Sequence, residues 1–196
     1  MDSTLARQDR HPDFARRLPR TRAALEFADE RHSGQRREAD DAPFVMHPIE
    51  VANILYEAGY PDDVIAAGAL HDVIENTDTS PRDIANRFGS RVALLVTAVT
   101  ENSAIERDAD RKAALRLQVA RAGETAAAVF AADKISKVRE LRLRRSRGQF
   151  DNASRDKLAH YEASLEMLAE EIPGHELVEQ LRLELEAVRS LPTGGV

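Results

Sequence analysis

The chain has 196 residues, about one domain's worth, and its 42% hydrophobic and 32% charged residues describe a globular rather than a disordered protein. It contains no cysteine, which excludes disulfide scaffolds, zinc ribbons and thiol nucleophiles and leaves only histidine and carboxylate as metal ligands. With 28 basic and 34 acidic residues the net charge is −6, against the basic balance of nucleic-acid binders; no apolar run reaches the ~18 residues of a membrane span. The first 22 residues are polar and Arg-rich, unlike a secretory signal. These absences predict a cytoplasmic protein with neither nucleic acid nor membrane as a partner.

Residues 1–20 show no apolar period and are predicted to be a flexible or loosely docked arm. Thr21 is a candidate N-cap for a helix carrying Ala24, Leu25 and Ala28 and ending near Gly34. A polar connection over residues 35–46 leads to His47-Pro48, with proline in the first turn, where its missing N–H costs nothing. Val51, Leu55 and Ala58 share a face of that second helix, which Gly59 stops. A third helix starts at Pro61 and carries Val64, Ala67, Leu70, Val73 and Ile74 on one face. Ser80-Pro81-Arg82-Asp83 is a capping signature, Gly89 ends the short helix that follows, and Ser90 opens another. Helices over roughly 108–122, 125–145, 154–171 and 174–190 complete the chain, with Gly123, Gly148 and Pro173 as punctuation. No alternating strand pattern appears. The expectation is one all-α domain over 21–190, of about eight helices, with a tail at 191–196.

Charge is segregated late in the chain. Residues 134–147 hold seven basic residues against Glu140, and residues 162–189 hold eight glutamates against Arg182 and Arg189. Two readings stand: solvated faces packed against each other, or a basic run that helps to hold a polyphosphate.

The chemistry centres on His71-Asp72 in LHDVIENT, near the end of the third helix. Neighbours on a helix diverge by about 100°, yet both side chains can converge on a cation beside the axis, and Glu75 shares their face. Two further candidates lie on other apolar helices: His47, and Asp133 after the uncharged run Ala126–Ala132. An acid so placed needs a cation or hydrogen bonds, and a salt bridge to a nearby lysine would serve as well. His47 alone could be a capping or core histidine.

His47, then His71-Asp72, then Asp133 resembles the H…HD…D signature of HD-domain metal-dependent phosphohydrolases. ERHSGQRREADDAPFVMHPIEVANIL, GALHDVIENTDTS and AADKISKVREL are similar to the motifs of RelA/SpoT-type hydrolase domains and small alarmone hydrolases. Those enzymes remove the 3′-diphosphate from (p)ppGpp. The resemblance covers about residues 21–190 and implies an HD helical bundle. It implies that His47, His71, Asp72 and Asp133 ligate one divalent ion, manganese first, with magnesium, iron(II) or zinc as substitutes. It further implies that Glu75 positions or deprotonates the attacking water, that Arg37 stacks on the guanine base, and that Lys134, Lys137 and Arg139 face phosphate or ribose. The partner is then a small nucleotide; self-association is left open.

Three features depart from the family pattern. Asn76 stands in place of the second acid after HD, and an amide cannot deliver a proton to a leaving group. Lys137 replaces a nucleotide-contacting asparagine. The loop between Arg37 and Pro43 is one residue longer than usual and carries Asp40 and Asp41, which would repel a polyphosphate if they faced it. Two other functions follow from these departures: an HD phosphatase acting on a nucleoside monophosphate or NADPH, favoured by Lys137 and the loop, and a catalytically degenerate HD module that regulates a partner, favoured by Asn76. His32 matches the family histidine before x-G-Q, or simply sits at a helix end where its charge suits the dipole. His160 is read as a surface or packing residue and Tyr161 as core.

Overall fold

The computed structural model describes residues 12–192. Among them are a 3₁₀ turn, Asp13–Arg17, and ten α-helical segments: α1 (Pro19–Arg31), α2 (Met46–Glu57), α3 (Asp62–Leu70), α4 (Val73–Asn76), α5 (Pro81–Phe88), α6 (Ser90–Val99), α7 (Asp108–Ala122), α8 (Glu124–Ser146), α9 (Asn152–Glu171) and α10 (Glu176–Ser190). No strand occurs among the described residues; the one β-bridge, Arg36 to Pro43, closes the α1–α2 loop. The all-α expectation holds. No helix is long and apolar enough to cross a membrane.

The centre of the molecule is α8. Every residue from Ala126 to Ser136 is buried, which is the condition of a helix apolar on all sides. Its run of alanines lets α2, α3, α6, α7, α9 and α10 approach it from different directions. The later helices lay apolar stripes on it. In α10 the stripe is Leu177, Leu181, Leu185 and Val188, all buried, at the three- and four-residue spacing of one helix face. Asp133 therefore enters the core on the one element surrounded by the others.

The second constraint is the approach of α3 to α2. Gly68 lies where a Cβ would come within 2.4 Å of Leu55 Cδ1 and 3.3 Å of Val51 Cγ1. Its missing side chain lets α3 pack tightly, and its carbonyl accepts a hydrogen bond from His71 Nδ1 at 2.7 Å. At Leu70 the helix predicted to run on through His71-Asp72 is interrupted. His71 and Asp72 form a turn, and α4 continues for one turn beyond them. The backbone at both residues stays near the helical region, so the direction of the chain is kept while the two side chains swing to one side.

The predicted cap at Thr21 is corrected. The helix begins at Pro19, and Thr21 is buried in its first turn. The cap comes from across the fold: Asp62 Oδ2 accepts from Arg20 N at 3.0 Å, and Asp62 Oδ1 accepts from Thr21 N at 2.8 Å and Thr21 Oγ1 at 2.7 Å. A carboxylate there satisfies first-turn N–H groups that have no intrahelical partner. The capping box at Ser80 and Asp83 forms as the sequence indicates.

Part of the predicted arm is docked. Ala15 is fully buried and Phe14 stacks on Tyr56 with ring centroids 5.1 Å apart. Residues 1–11 lie outside the described residues. At the other end, the Leu191 carbonyl accepts from Arg145 Nε at 3.0 Å, and residues 193–196 are outside the description.

The two charge runs meet. Arg139 and Arg142 of α8 both pair with Glu184 of α10, at 2.7 and 2.6 Å, so part of the basic run is spent within the fold.

Two substitutions test this packing. Gly68→Ala gains about 1 kcal/mol in helix propensity but overpacks a filled site, at a cost of about 2 kcal/mol. Urea unfolding should show a net loss of about 1 kcal/mol. Asp62→Ala should cost about 1–2 kcal/mol in the same assay, because it strips the cap from α1.

Candidate functional site

Four side chains from three places in the chain converge beside α8. His47 comes from the first turn of α2, His71 and Asp72 from the break between α3 and α4, and Asp133 from the middle of α8. All four are almost completely buried. His47 Nε2 lies 3.0 Å from His71 Nε2, 3.4 Å from Asp72 Oδ2 and 3.2 Å from Asp133 Oδ1. His71 Nε2 lies 3.3 Å from both Asp72 Oδ1 and Asp133 Oδ1.

Hydrogen-bond accounting says what such a cluster needs. His71 Nδ1 faces the Gly68 carbonyl, which can only accept, so that nitrogen carries the hydrogen. His47 Nδ1 faces Ser136 Oγ at 2.8 Å, and that hydroxyl in turn donates to Glu50 Oε2 at 2.8 Å. The hydroxyl's one hydrogen is used, so it accepts from His47 Nδ1–H. Both imidazoles therefore keep a hydrogen on the outward Nδ1 and turn Nε2 to the same point, where a metal or a proton would sit between them. Asp133 Oδ1 adds a buried oxygen that has no hydrogen-bond partner. Lone pairs and carboxylate oxygens crowded in this way call for a cation, and two imidazoles with two carboxylates suit a borderline or hard divalent ion. The donor set fits a metal.

The electrostatics agree. Burial opposes charge on His71, but Asp72 and Asp133 outweigh it and raise its pKa to about 10. Burial likewise works against ionised Asp72 and Asp133. His71 and Lys137 hold the first well below the usual carboxylate range, and Lys134, Lys137 and His71 hold the second there. Without a metal, a proton and two ammonium groups supply the positive charge that the site demands.

The site opens on a cavity of about 360 Å³. Seven cationic side chains line it (Arg36, Arg37, Lys112, Lys134, Lys137, Arg144 and Lys157) against Glu38, Glu101 and Glu140. A chain with net charge −6 thus concentrates positive charge at one concave place, which raises the local concentration of an anionic ligand.

The residues expected to touch a nucleotide divide. Arg37 lies on the cavity wall, its guanidinium paired in fork fashion with Asp40 and 3.7 Å from Glu140. Asp40 therefore does not present a bare charge to the cavity. The extra loop residue is accommodated at Asp41, which adopts φ 60°. Lys137 lines the cavity with Nζ 3.4 Å from Asp72 Oδ2. Lys134 also borders it, but its ammonium turns inward, 2.7 Å from Asp133 Oδ2 and over the Phe130 ring. Arg139 is a correction: it is bound to Glu50 and Glu184 and does not line the cavity. From Asp133 on α8, a residue four positions on stays on the same face and one six positions on does not. Asn76 lines the cavity, whereas Glu75 lies in the adjoining cleft with Glu101 and Arg111, its carboxylate accepting from Glu101 N. Loss of hydration around that carboxyl, then the Asp72 charge, pushes the Glu75 pKa up.

Tyr161 and His160 of α9 are buried, Tyr161 in the core and His160 as a packing residue, in line with the sequence reading; both also border the cavity, which the sequence did not indicate. His160 Nδ1 accepts from Arg116 at 2.9 Å, and burial with Lys134 and Arg116 pushes its pKa down to about 2, so it is a neutral imidazole. No local pattern marks α9 as a cavity wall; only its docking against α7 and α8 does. His32 caps α1, is buried, bonds Gln35 at 2.8 Å and packs on Phe44, so it supports the cavity wall from behind.

Comparison with known proteins accords with this geometry. Residues 24–156 match the HD domain family. A human protein named guanosine-3′,5′-bis(diphosphate) 3′-pyrophosphohydrolase MESH1 is 40% identical over 124 residues, which cover 60% of this chain and 67% of that protein. An Aquifex aeolicus protein named guanosine-3′,5′-bis(diphosphate) 3′-pyrophosphohydrolase is 43% identical over 91 residues, 46% of this chain but only 12% of that much longer protein. The solved structure of a metazoan SpoT orthologue, described as hydrolysing ppGpp, superposes with a TM-score of 0.71 at 27% identity, covering 88% of this chain and 97% of that one. With His47, His71 and Asp133 of the motif gathered at one buried point, Asp72 beside the two histidines, and the family match spanning most of the chain, the protein belongs to the HD-domain family.

Proposed function

We propose that this chain is a divalent-metal-dependent phosphohydrolase that cleaves guanosine 3′,5′-bis(diphosphate) at the 3′ position, releasing pyrophosphate. The observation that carries the reading is the convergence of His47 Nε2, His71 Nε2 and an unpartnered Asp133 oxygen beside a cationic cavity that His47 lines. A relative named for this activity, 40% identical over 60% of this chain, supports the substrate.

His47, His71, Asp72 and Asp133 would hold the metal, manganese first. When bound, a divalent ion lowers the pKa of water and neutralises phosphoryl charge. The chain's own groups do the rest. Lys137 and the cations across the cavity bind the diphosphates. Arg37, its guanidinium fixed by Asp40, offers a flat face to a purine. Glu75, with its raised pKa, accepts the proton of the attacking water. The water oxygen bonds to phosphorus, the bond from phosphorus to the 3′ oxygen breaks, and that oxygen takes up a proton. Asn76 can hold this leaving oxygen by a hydrogen bond but cannot supply the proton. The reading carries a cytoplasmic setting, where guanine nucleotides are made and used.

A second reading keeps the metal and changes the substrate. Lys137 stands over the ligand carboxylates where the family has a neutral amide, which suits an HD phosphatase acting on a smaller phosphate ester, such as a nucleoside monophosphate or NADPH.

One assay separates the two readings. Purified protein with manganese and a nucleotide panel should release pyrophosphate from ppGpp, and Asp72→Ala should lose at least about 10³-fold in rate, since a metal ion supplies several kcal/mol of charge stabilisation. Orthophosphate from a monophosphate substrate, with ppGpp untouched, would move the assignment to the second reading. Asn76→Asp restores an acid beside the leaving group and should raise kcat about 10-fold or more. An unchanged kcat would show that the leaving oxygen takes its proton from elsewhere.

A further inference from the structure

We propose that Ser136 and Glu50 are positioning residues for the metal centre: together they lock the His47 imidazole in the one tautomer and orientation that offers Nε2 to a metal. The proposal rests on the metal reading above and goes beyond the ligand set itself.

The geometry is a relay built from two interlocked pairs. His47 and Glu50 are three residues apart on α2, and Ser136 and Arg139 are three residues apart on α8. That spacing puts each pair on one helix face, and the faces oppose each other. His47 Nδ1 meets Ser136 Oγ at 2.8 Å, Ser136 Oγ donates to Glu50 Oε2 at 2.8 Å, and Arg139 donates to Glu50 Oε1 at 2.9 Å. Arg139 is anchored in turn on Glu184 of α10 at 2.7 Å.

Each link has a definite direction. The Glu50 carboxyl faces two donors, Arg139 at one oxygen and Ser136 Oγ at the other, so it takes the hydroxyl hydrogen of Ser136. Ser136 is fully buried, and with its hydrogen committed it can only accept from Nδ1–H of His47. Glu140 Oε1, the other acceptor near that nitrogen, is 3.8 Å away and beyond hydrogen-bond reach. Without Glu50 the hydroxyl could rotate and donate to Nδ1, which would move the imidazole hydrogen to Nε2 and block the ligand atom. His71 has no need of such a device, because its Nδ1 is held by a backbone carbonyl. This also explains the place of Arg139: it holds the far end of the relay rather than a phosphate.

The test is manganese affinity of the full chain, read as free Mn²⁺ by electron paramagnetic resonance, with thermal unfolding of the metal-free protein as a control. Removal of an outer partner of a metal ligand typically weakens binding 10–100-fold, and Ser136→Ala should do so. Ser136→Thr keeps the hydroxyl and should restore affinity to within about threefold. Glu50→Ala, whose side chain is partly exposed and tolerant of truncation, should weaken binding in the same direction. Unaltered affinity in Ser136→Ala overturns the proposal. Equal losses in Ser136→Ala and Ser136→Thr overturn it too, by pointing to packing rather than the hydroxyl. Should Ser136→Ala fail to fold, Glu50→Ala decides alone, and wild-type affinity there sinks the relay. A wild-type protein that binds no manganese would instead refute the metal reading itself.

Discussion

Four buried groups with lone pairs and negative charge facing one point are the constraint around which this protein is built. His47, His71, Asp72 and Asp133 are each nearly inaccessible to water, and burying such groups unpaired is costly. The fold meets that cost in two ways. It surrounds the cluster with fixed positive charge, Lys134 at 2.7 Å and Lys137 at 3.4 Å from carboxylate oxygens. It also fixes each imidazole from behind, His71 on the Gly68 carbonyl and His47 on Ser136. The gain is a cluster whose two imidazoles are each held in a fixed orientation.

Packing elsewhere serves the same end. Gly68 does double duty: its missing Cβ lets α3 press against Leu55 and Val51, and its carbonyl holds His71. The interruption after Leu70 turns two neighbouring side chains towards His47. The alanine run of α8 brings Asp133 into the centre, because small side chains let many helices approach one. Asp62, by capping α1 from α3, ties the start of the fold to the helix that carries the histidine.

The late basic run shows how one stretch of sequence divides its work. Lys137 and Arg144 line the cavity; Arg139 and Arg142 neutralise Glu184 on α10. The packed-faces reading of the charge pattern holds for Arg139 and Arg142, while other residues of the run face the cavity, since a helix presents successive residues to different surroundings. Likewise the acidic loop beside Arg37 leaves the cavity cationic, because Asp40 spends its charge on the guanidinium.

By itself the sequence determined the helical class, most helix boundaries and the histidines and aspartates that the fold gathers at one buried point. Helical periods and capping residues act locally, and a chain without cysteine has few ways to hold a metal. Spacing of His47, His71-Asp72 and Asp133 in order carried the family. What only the tertiary structure decided is everything that depends on which helix faces which. It moved the cap of α1 from Thr21 to Asp62, sent Arg139 away from the cavity and Glu75 into its neighbour, and brought His160 and Tyr161 to the cavity wall. It also joined Ser136 and Glu50 to His47. The physical reason is the same in each case: a side chain's partner 26 to 89 residues away is set by how helices dock, and docking leaves no mark on the local pattern of either helix.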